Sequence, residues 1–253
     1  MKIFSSKTIR ANGDAKTVKG TKYSDYITAI MYLAPADNLA IDTGKSYKTL
    51  CPFAEQAGCT KACLFKAGRG QMSSVERARL NKTKWFMDDR EGFMAQLAGD
   101  IQRFVNWCKR QGKRPTVRLN GTSDILWERI PVGDHANIME MFPEVQFYDY
   151  TKVTTRVYRE LPANYALTLS YSQANPEYAQ RVVEAHLETG TNMAVVYRTK
   201  EMRDAAVAAS QAHRIIDGDK TDLRFLDGTN KVVGLFAKGP AKHDTTGFVI
   251  DAA

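Results

Sequence analysis

Apolar residues along this chain gather in short runs, set apart by longer stretches in which they recur every three or four positions. The runs at 27–33, 116–119, 145–148, 165–169, 193–197, 214–216 and 232–236 predict seven strands. Between the first two lies a helical stretch from Ser73 to about Gln111, with Asp88 and Asp89 placed to break it and cap its second part. There Phe93, Leu97, Ile101, Phe104 and Cys108 follow at spacings of four, four, three and four, which makes one buried face. Helices are also expected near 133–142, 153–160 and 201–210. Asn175-Pro176 reads as N-cap and first residue of a helix that closes at Gly190.

Strands that alternate mostly with helices make parallel β/α units, hence an α/β fold. A TIM-type (β/α) barrel, closed or nearly closed, is the first expectation and an open doubly wound sheet the second. No internal repeat and no linker divides the chain. The expectation is one domain over 1–253, with a basic, cysteine-containing insertion at about 38–72. In a barrel the chemistry sits at the carboxyl ends of the strands. Polar residues follow those ends: Asn120-Gly121-Thr122-Ser123-Asp124, Asp149-Tyr150-Thr151-Lys152, Ser170-Tyr171-Ser172-Gln173, Arg198 and Asp217-Gly218-Asp219.

Composition narrows the class. With 253 residues, 43% of them hydrophobic and 25% charged, the chain can bury a core, which excludes a disordered tail, a fibre and a disulfide-stapled mini-protein. No apolar run approaches the ~18 residues of a membrane span and the first residues lack a signal-peptide core, so a soluble cytoplasmic product is expected. The net charge of +8 is unevenly placed: residues 1–120 carry +12 and residues 121–253 carry −4. A basic half beside an acidic half suggests a polyanion-binding face next to a carboxylate-bearing site. Lys61, Lys66, Arg69, Arg77 and Lys82 lead the basic stretch and are the candidate DNA contacts. Trp127, Tyr148, Tyr150 and Tyr171 near strand ends could stack on an extruded base.

Three of the four cysteines, Cys51, Cys59 and Cys63, lie within CPFAEQAGCTKAC. In a reducing compartment clustered thiols read as ligands for zinc or an iron–sulfur cluster before they read as a disulfide, with three structural thiols as the alternative. Cys108, on the apolar helical face, reads as core. A three-cysteine loop after the first strand of a β/α barrel resembles the arrangement of radical-SAM enzymes, in which three thiolates hold a four-iron cluster. The spacing here, C-x7-C-x3-C, departs from the C-x3-C-x2-C usual there.

Asp124, Asp149, Asp217 and Asp219 follow apolar strands directly. Two carboxylates sharing a pocket can divide acid and nucleophile roles, as glycosidic bond cleavage requires. The alternative for each one is a turn or a helix cap.

The combination of RLNGTSD, QFYDYTK, IIDGD and VVGLFAKG resembles the phage DNA-guanine transglycosylases, DpdA-like relatives of the tRNA-guanine transglycosylases, over about residues 25–240. That resemblance implies exchange of guanine in DNA for a 7-deazaguanine base through a covalent aspartyl-deoxyribosyl intermediate, protecting phage DNA from restriction. It implies Asp124 for acid–base work and base recognition, and Asp149 as nucleophile with Asp219 as substitute. Asn120, Ser123, Tyr150, Lys152, Ser170, Arg198 and Lys238 are the candidate substrate contacts. The tRNA enzymes hold zinc late in the chain; here the cysteines are early. A non-catalytic DNA-binding protein is the third reading.

Overall fold

The computed structural model describes residues 2–4, 24–35, 49–63 and 72–251. Its strands are β1 (Tyr26–Ile30), β2 (Arg114–Arg118), β3 (Gln146–Thr151), β4 (Tyr165–Ser170), β5 (Met193–Tyr197), β6 (Ile215–Asp217), β7 (Val232–Phe236) and β8 (Val249–Ile250). The helices are α1 (Ser73–Asp88), α2 (Arg90–Arg110), α3 (Ile138–Met141), α4 (Pro176–Thr189) and α5 (Lys200–Ala209).

The helix ends follow local chemistry. Asp89 separates α1 from α2 and its side chain accepts from the Gly92 amide at 2.9 Å, as the Asp88-Asp89 pair led one to expect. Asn175 caps α4, Pro176 opens it, and Gly190 closes it in the left-handed region at φ 69. Thr199 caps α5. Two expected helices shrink. That near 133–142 keeps only α3, because Gly133 turns at φ 54 and Val132 bridges His135. That near 153–160 keeps a 3-10 turn at Thr154–Arg156.

All pairings in the sheet are parallel, in the order β1-β2-β3-β4-β5-β7-β6. The sheet is open: β1 and β6 are its outer strands and do not pair with each other, so the closed form of the expected barrel is not what the described residues make. The short β8 was not expected. It pairs with Val196 and Tyr197 at the far end of β5, where β4 has already parted from it.

Register sorts the side chains between two faces. Ile27, Ala29, Val117, Phe147 and Leu167 share one face and pack with Phe86, Phe93, Leu97, Ile101 and Phe104 of α1 and α2. Leu169, Met193, Val195 and Tyr197 continue it against Tyr178, Val182 and Ala185 of α4 and Ala206 of α5. Helices therefore cover that face. The other face carries Thr28, Thr116, Arg118, Tyr148, Tyr150, Thr168 and Ser170, a polar set for a sheet interior. Cys108 is buried in the helix-covered core, as its spacing predicted. No helix of the described residues is long and apolar enough to cross a membrane.

Candidate functional site

The cysteine segment sits at the carboxyl edge of the sheet. Successive turns shape it: the amides of Ala54, Ala57, Gly58 and Cys59 donate to the carbonyls of Cys51, Phe53, Glu55 and Ala54. Three ties hold it down. The Asp124 amide, just beyond β2, donates to the Leu50 carbonyl at 2.8 Å. The hydroxyls of Ser172, beyond β4, and Thr246, before β8, donate to the carbonyls of Ala57 and Gly58, each at 2.8 Å. Gly58 stands at φ +61, and a Cβ there would lie 2.7 Å from the Ala174 side chain, so the seam needs glycine.

None of the four cysteines forms a disulfide. Burial pushes the Cys51 thiol up to about 12; the Lys152 ammonium opposes that, and Asp124, Cys63 and Cys59 reinforce it. The other two thiols of the loop, one cation and one carboxylate thus all lie within electrostatic range of Cys51. Soft thiolates in a group of three suit an iron–sulfur cluster or zinc, and metal binding would displace the Cys51 proton. The donor types fit such a group. Their present arrangement is not a formed coordination shell: among the described residues no three His, Cys, Asp or Glu side chains are gathered to hold a metal ion.

Asp124 and Asp149 are brought together, through Arg156. The Arg156 guanidinium, 1% exposed, uses every donor: Nε and Nη2 to Glu128 at 2.9 and 2.7 Å, Nη1 to Asp124 at 3.1 Å and Thr151 at 3.2 Å, and Nη2 also to the Tyr165 hydroxyl at 2.9 Å. Asp149 accepts from the Asn120 amide at 2.7 Å and from the Tyr165 hydroxyl at 2.9 Å. Asp124 also accepts from the Lys152 amide at 2.7 Å. Burial raises the Asp149 carboxyl to about 7, against the pull of Arg118, the Asn120 amide, Tyr165 and Arg156. By register Asp149 shares the helix-covered face with Phe147.

Asp219 stands apart from this pair. It lies past β6, with β4, β5 and β7 between that strand and β3. It is engaged by Arg203 of α5, by the Phe236 amide and by Lys238, whose ammonium pairs with it. The hydrogen-bond partners of Asp219 named above are not those of Asp124 or Asp149, whereas Asp222, three residues further on, reaches Arg118 of β2 at 3.1 Å and the Tyr148 hydroxyl of β3 at 3.3 Å.

The candidate substrate contacts are distributed likewise. The Asn120 side chain organises its own turn, its carbonyl oxygen accepting from Ser123, Ile125 and Trp127. Ser170 is buried and its carbonyl accepts from the Tyr178 hydroxyl at 2.5 Å. Arg198 is tied to Asp251 and to the Lys242 carbonyl. Tyr150 lies under the Arg118 guanidinium, 4.6 Å from ring centre to Cζ. Lys152 alone of this group faces the thiols. Among the candidate DNA contacts, Lys61 and Arg77 are exposed, whereas Lys82 donates to the Ile3 carbonyl at 3.4 Å and burial lowers it to about 8. Lys66 and Arg69 lie outside the described residues.

Sequence reasoning passed over the arginines. Arg118 is 5% exposed and pairs with Asp222 at 3.1 Å; Arg203, Arg224 and Arg156 are buried too. A cation inside the apolar run Val117-Arg118-Leu119 was the available signal, since arginine is fully buried only where partners await it.

An open, all-parallel α/β sheet with a thiol loop on its carboxyl edge defines the class of protein. The chain belongs to the gene product 88 family, whose model matches residues 5–252. No curated protein and no solved structure matches it.

Proposed function

We propose that this chain is an incomplete β/α barrel that binds an iron–sulfur cluster through Cys51, Cys59 and Cys63 and acts on a nucleic acid or nucleotide, in the manner of the radical-SAM enzymes it resembles. The carrying observation is the loop itself: Cys51, Cys59 and Cys63 lie within thirteen residues whose backbone is tied to the carboxyl edge of the sheet at Asp124, Ser172 and Thr246. Among the described residues the α-helices pack on one face and the polar opposite face meets the 3-10 turn Arg224–Leu226, through Phe225 on Tyr148, which supports the barrel-like reading. A thiolate-held cluster supplies single electrons when bound. The chain's own part is to fix the loop through Ser172 and Thr246 and to set the Lys152 ammonium beside the thiols, where it offsets thiolate charge. Anaerobic loading with iron and sulfide is the test. The wild-type chain should bind both and gain the broad visible absorbance of thiolate-bound iron, and the Cys51→Ser/Cys59→Ser/Cys63→Ser variant should gain neither. A wild-type chain that takes up no iron overturns the reading.

Exchange of guanine in DNA for a 7-deazaguanine base is the second reading, favoured by one observation: Asp149, raised to about 7, shares Arg156's surroundings with Asp124. To attack a sugar carbon Asp149 must give up the Tyr165 hydroxyl or the Asn120 amide. A denaturant-resistant adduct with guanine-containing DNA, lost in Asp149→Asn, is its expected signature.

A further inference from the structure

The β4-to-β5 crossover carries the 14-residue α4, whereas the β3-to-β4 crossover carries only the 3-10 turn at Thr154–Arg156. Beside that turn lies a cleft of about 400 Å³, within the size range of small-molecule sites. Its inner side is the Arg156–Glu128 pair, whose charges cancel and whose guanidinium has no donor left. Leu161 and Pro162 supply an apolar wall. Arg129 and Arg159 also line it, both exposed, and no hydrogen bond or ion pair among the described residues engages either guanidinium. The one other charge on the lining is Glu160. The lining thus holds two uncommitted guanidinium groups, one exposed carboxylate and an apolar pair.

We infer that this cleft binds a phosphate ester. Guanidinium forks match phosphate oxygens in pairs, and the Leu161–Pro162 wall accepts the sugar or base attached to them. The charge asymmetry noted for the whole chain runs the other way in this half, so a cationic pair here is not explained by general basicity. The inference stands independently of the thiol loop, because the cleft needs no metal to form.

The phosphate could be that of a free nucleotide or of a nucleic-acid backbone, and two ligands separate these. Binding of a nucleoside monophosphate and of a short single-stranded oligodeoxynucleotide would be measured on the metal-free chain at low salt. The comparison is wild type, Arg129→Ala/Arg159→Ala, and Lys109→Ala/Arg110→Ala, which removes equal charge from the exposed end of α2. Tenfold or greater weakening confined to the first variant, with an unchanged melting temperature, is expected. Loss for the mononucleotide alone assigns a free nucleotide; loss for the oligonucleotide, with a log–log salt slope smaller by about 1.4 (~0.7 per phosphate), assigns the backbone. Equal affinity in the wild type and the first variant, equal loss in both variants, or no binding of either ligand by the wild type overturns the inference.

Discussion

Two groups of chemically able side chains meet the carboxyl edge of the sheet, and they differ in how far their bonding capacity is spent. Around Arg156 every guanidinium donor is committed and Asp149 accepts from two partners, with Asp124, Glu128 and Tyr165 closing the network. In the neighbouring loop, the hydrogen bonds of Cys51 and Cys59 among the described residues go to backbone carbonyls at 3.8 and 3.6 Å, at the long end for thiols, and all three cysteines of the loop are partly buried. A buried polar network that is fully satisfied holds a fold in one arrangement; soft, weakly engaged ligand atoms held by a well-anchored backbone are available for something else. The contrast is the reason for proposing chemistry at the thiols rather than at the carboxylates.

The largest expected effect breaks the first half of that contrast. Arg156→Met would leave Asp124 and Glu128, whose side chains are 6% and 9% exposed, without their cation. Removing one member of a buried ion network costs about 3–5 kcal/mol. Urea unfolding should show that loss, and Arg156→Lys should recover only part of it because one ammonium cannot serve four acidic and hydroxyl partners at guanidinium geometry. A variant as stable as wild type would mean the network is not structural.

The same contrast explains what could be read in advance. Seven strands were legible because each is a continuous or alternating apolar run, and the helix at 175–190 because its cap, proline and closing glycine are local. The two-residue β8 lies in the short apolar run Phe248-Val249-Ile250, which was passed over, and it finds its place where β4 leaves β5 early. Whether the sheet closes depends on how its outer strands meet, which no single strand encodes. At the candidate site, clustering in sequence singled out the cysteines. For the carboxylates, standing near a strand end does not say which face a side chain takes. Asp149 alternates onto the face with Phe147, towards helices, while Tyr148 and Tyr150 take the other. Arg156 lies in a polar segment, TKVTTRVYRE, and only the fold reveals that carboxylates from two other elements surround it.

A middle-sized effect follows from Asp149. Its folded value, about 7, lies above the ~3.9 of an unfolded aspartate, so the native state holds the proton more tightly. The stability this group contributes is therefore complete below about pH 4 and is lost as pH rises towards 7, with a slope of at most ~1.4 kcal/mol per pH unit. Chemical denaturation across that range should show wild type losing stability relative to Asp149→Asn. Parallel pH profiles of the two proteins would show that Asp149 is ionised in the fold at all these pH values.

The smallest effect on stability should come from the thiols, and it sharpens the contrast most. Cys59→Ser exchanges a partly buried sulfur whose only hydrogen bond among the described residues is a 3.6 Å contact to a backbone carbonyl within its own loop. Cys59 packs at the margin of the core formed by Leu169, Tyr178 and Val182, so exchanging its sulfur for oxygen should cost about 1 kcal/mol. The metal-free variant should thus unfold close to the wild-type urea midpoint while failing to stabilise on addition of iron and sulfide, whereas the wild-type chain gains stability from any ligand that its native state alone binds. A variant that loses several kcal/mol before any metal is added would place Cys59 with Arg156, among the groups that hold the edge together, and would leave the loop without the spare valence on which its assignment as the reactive region depends.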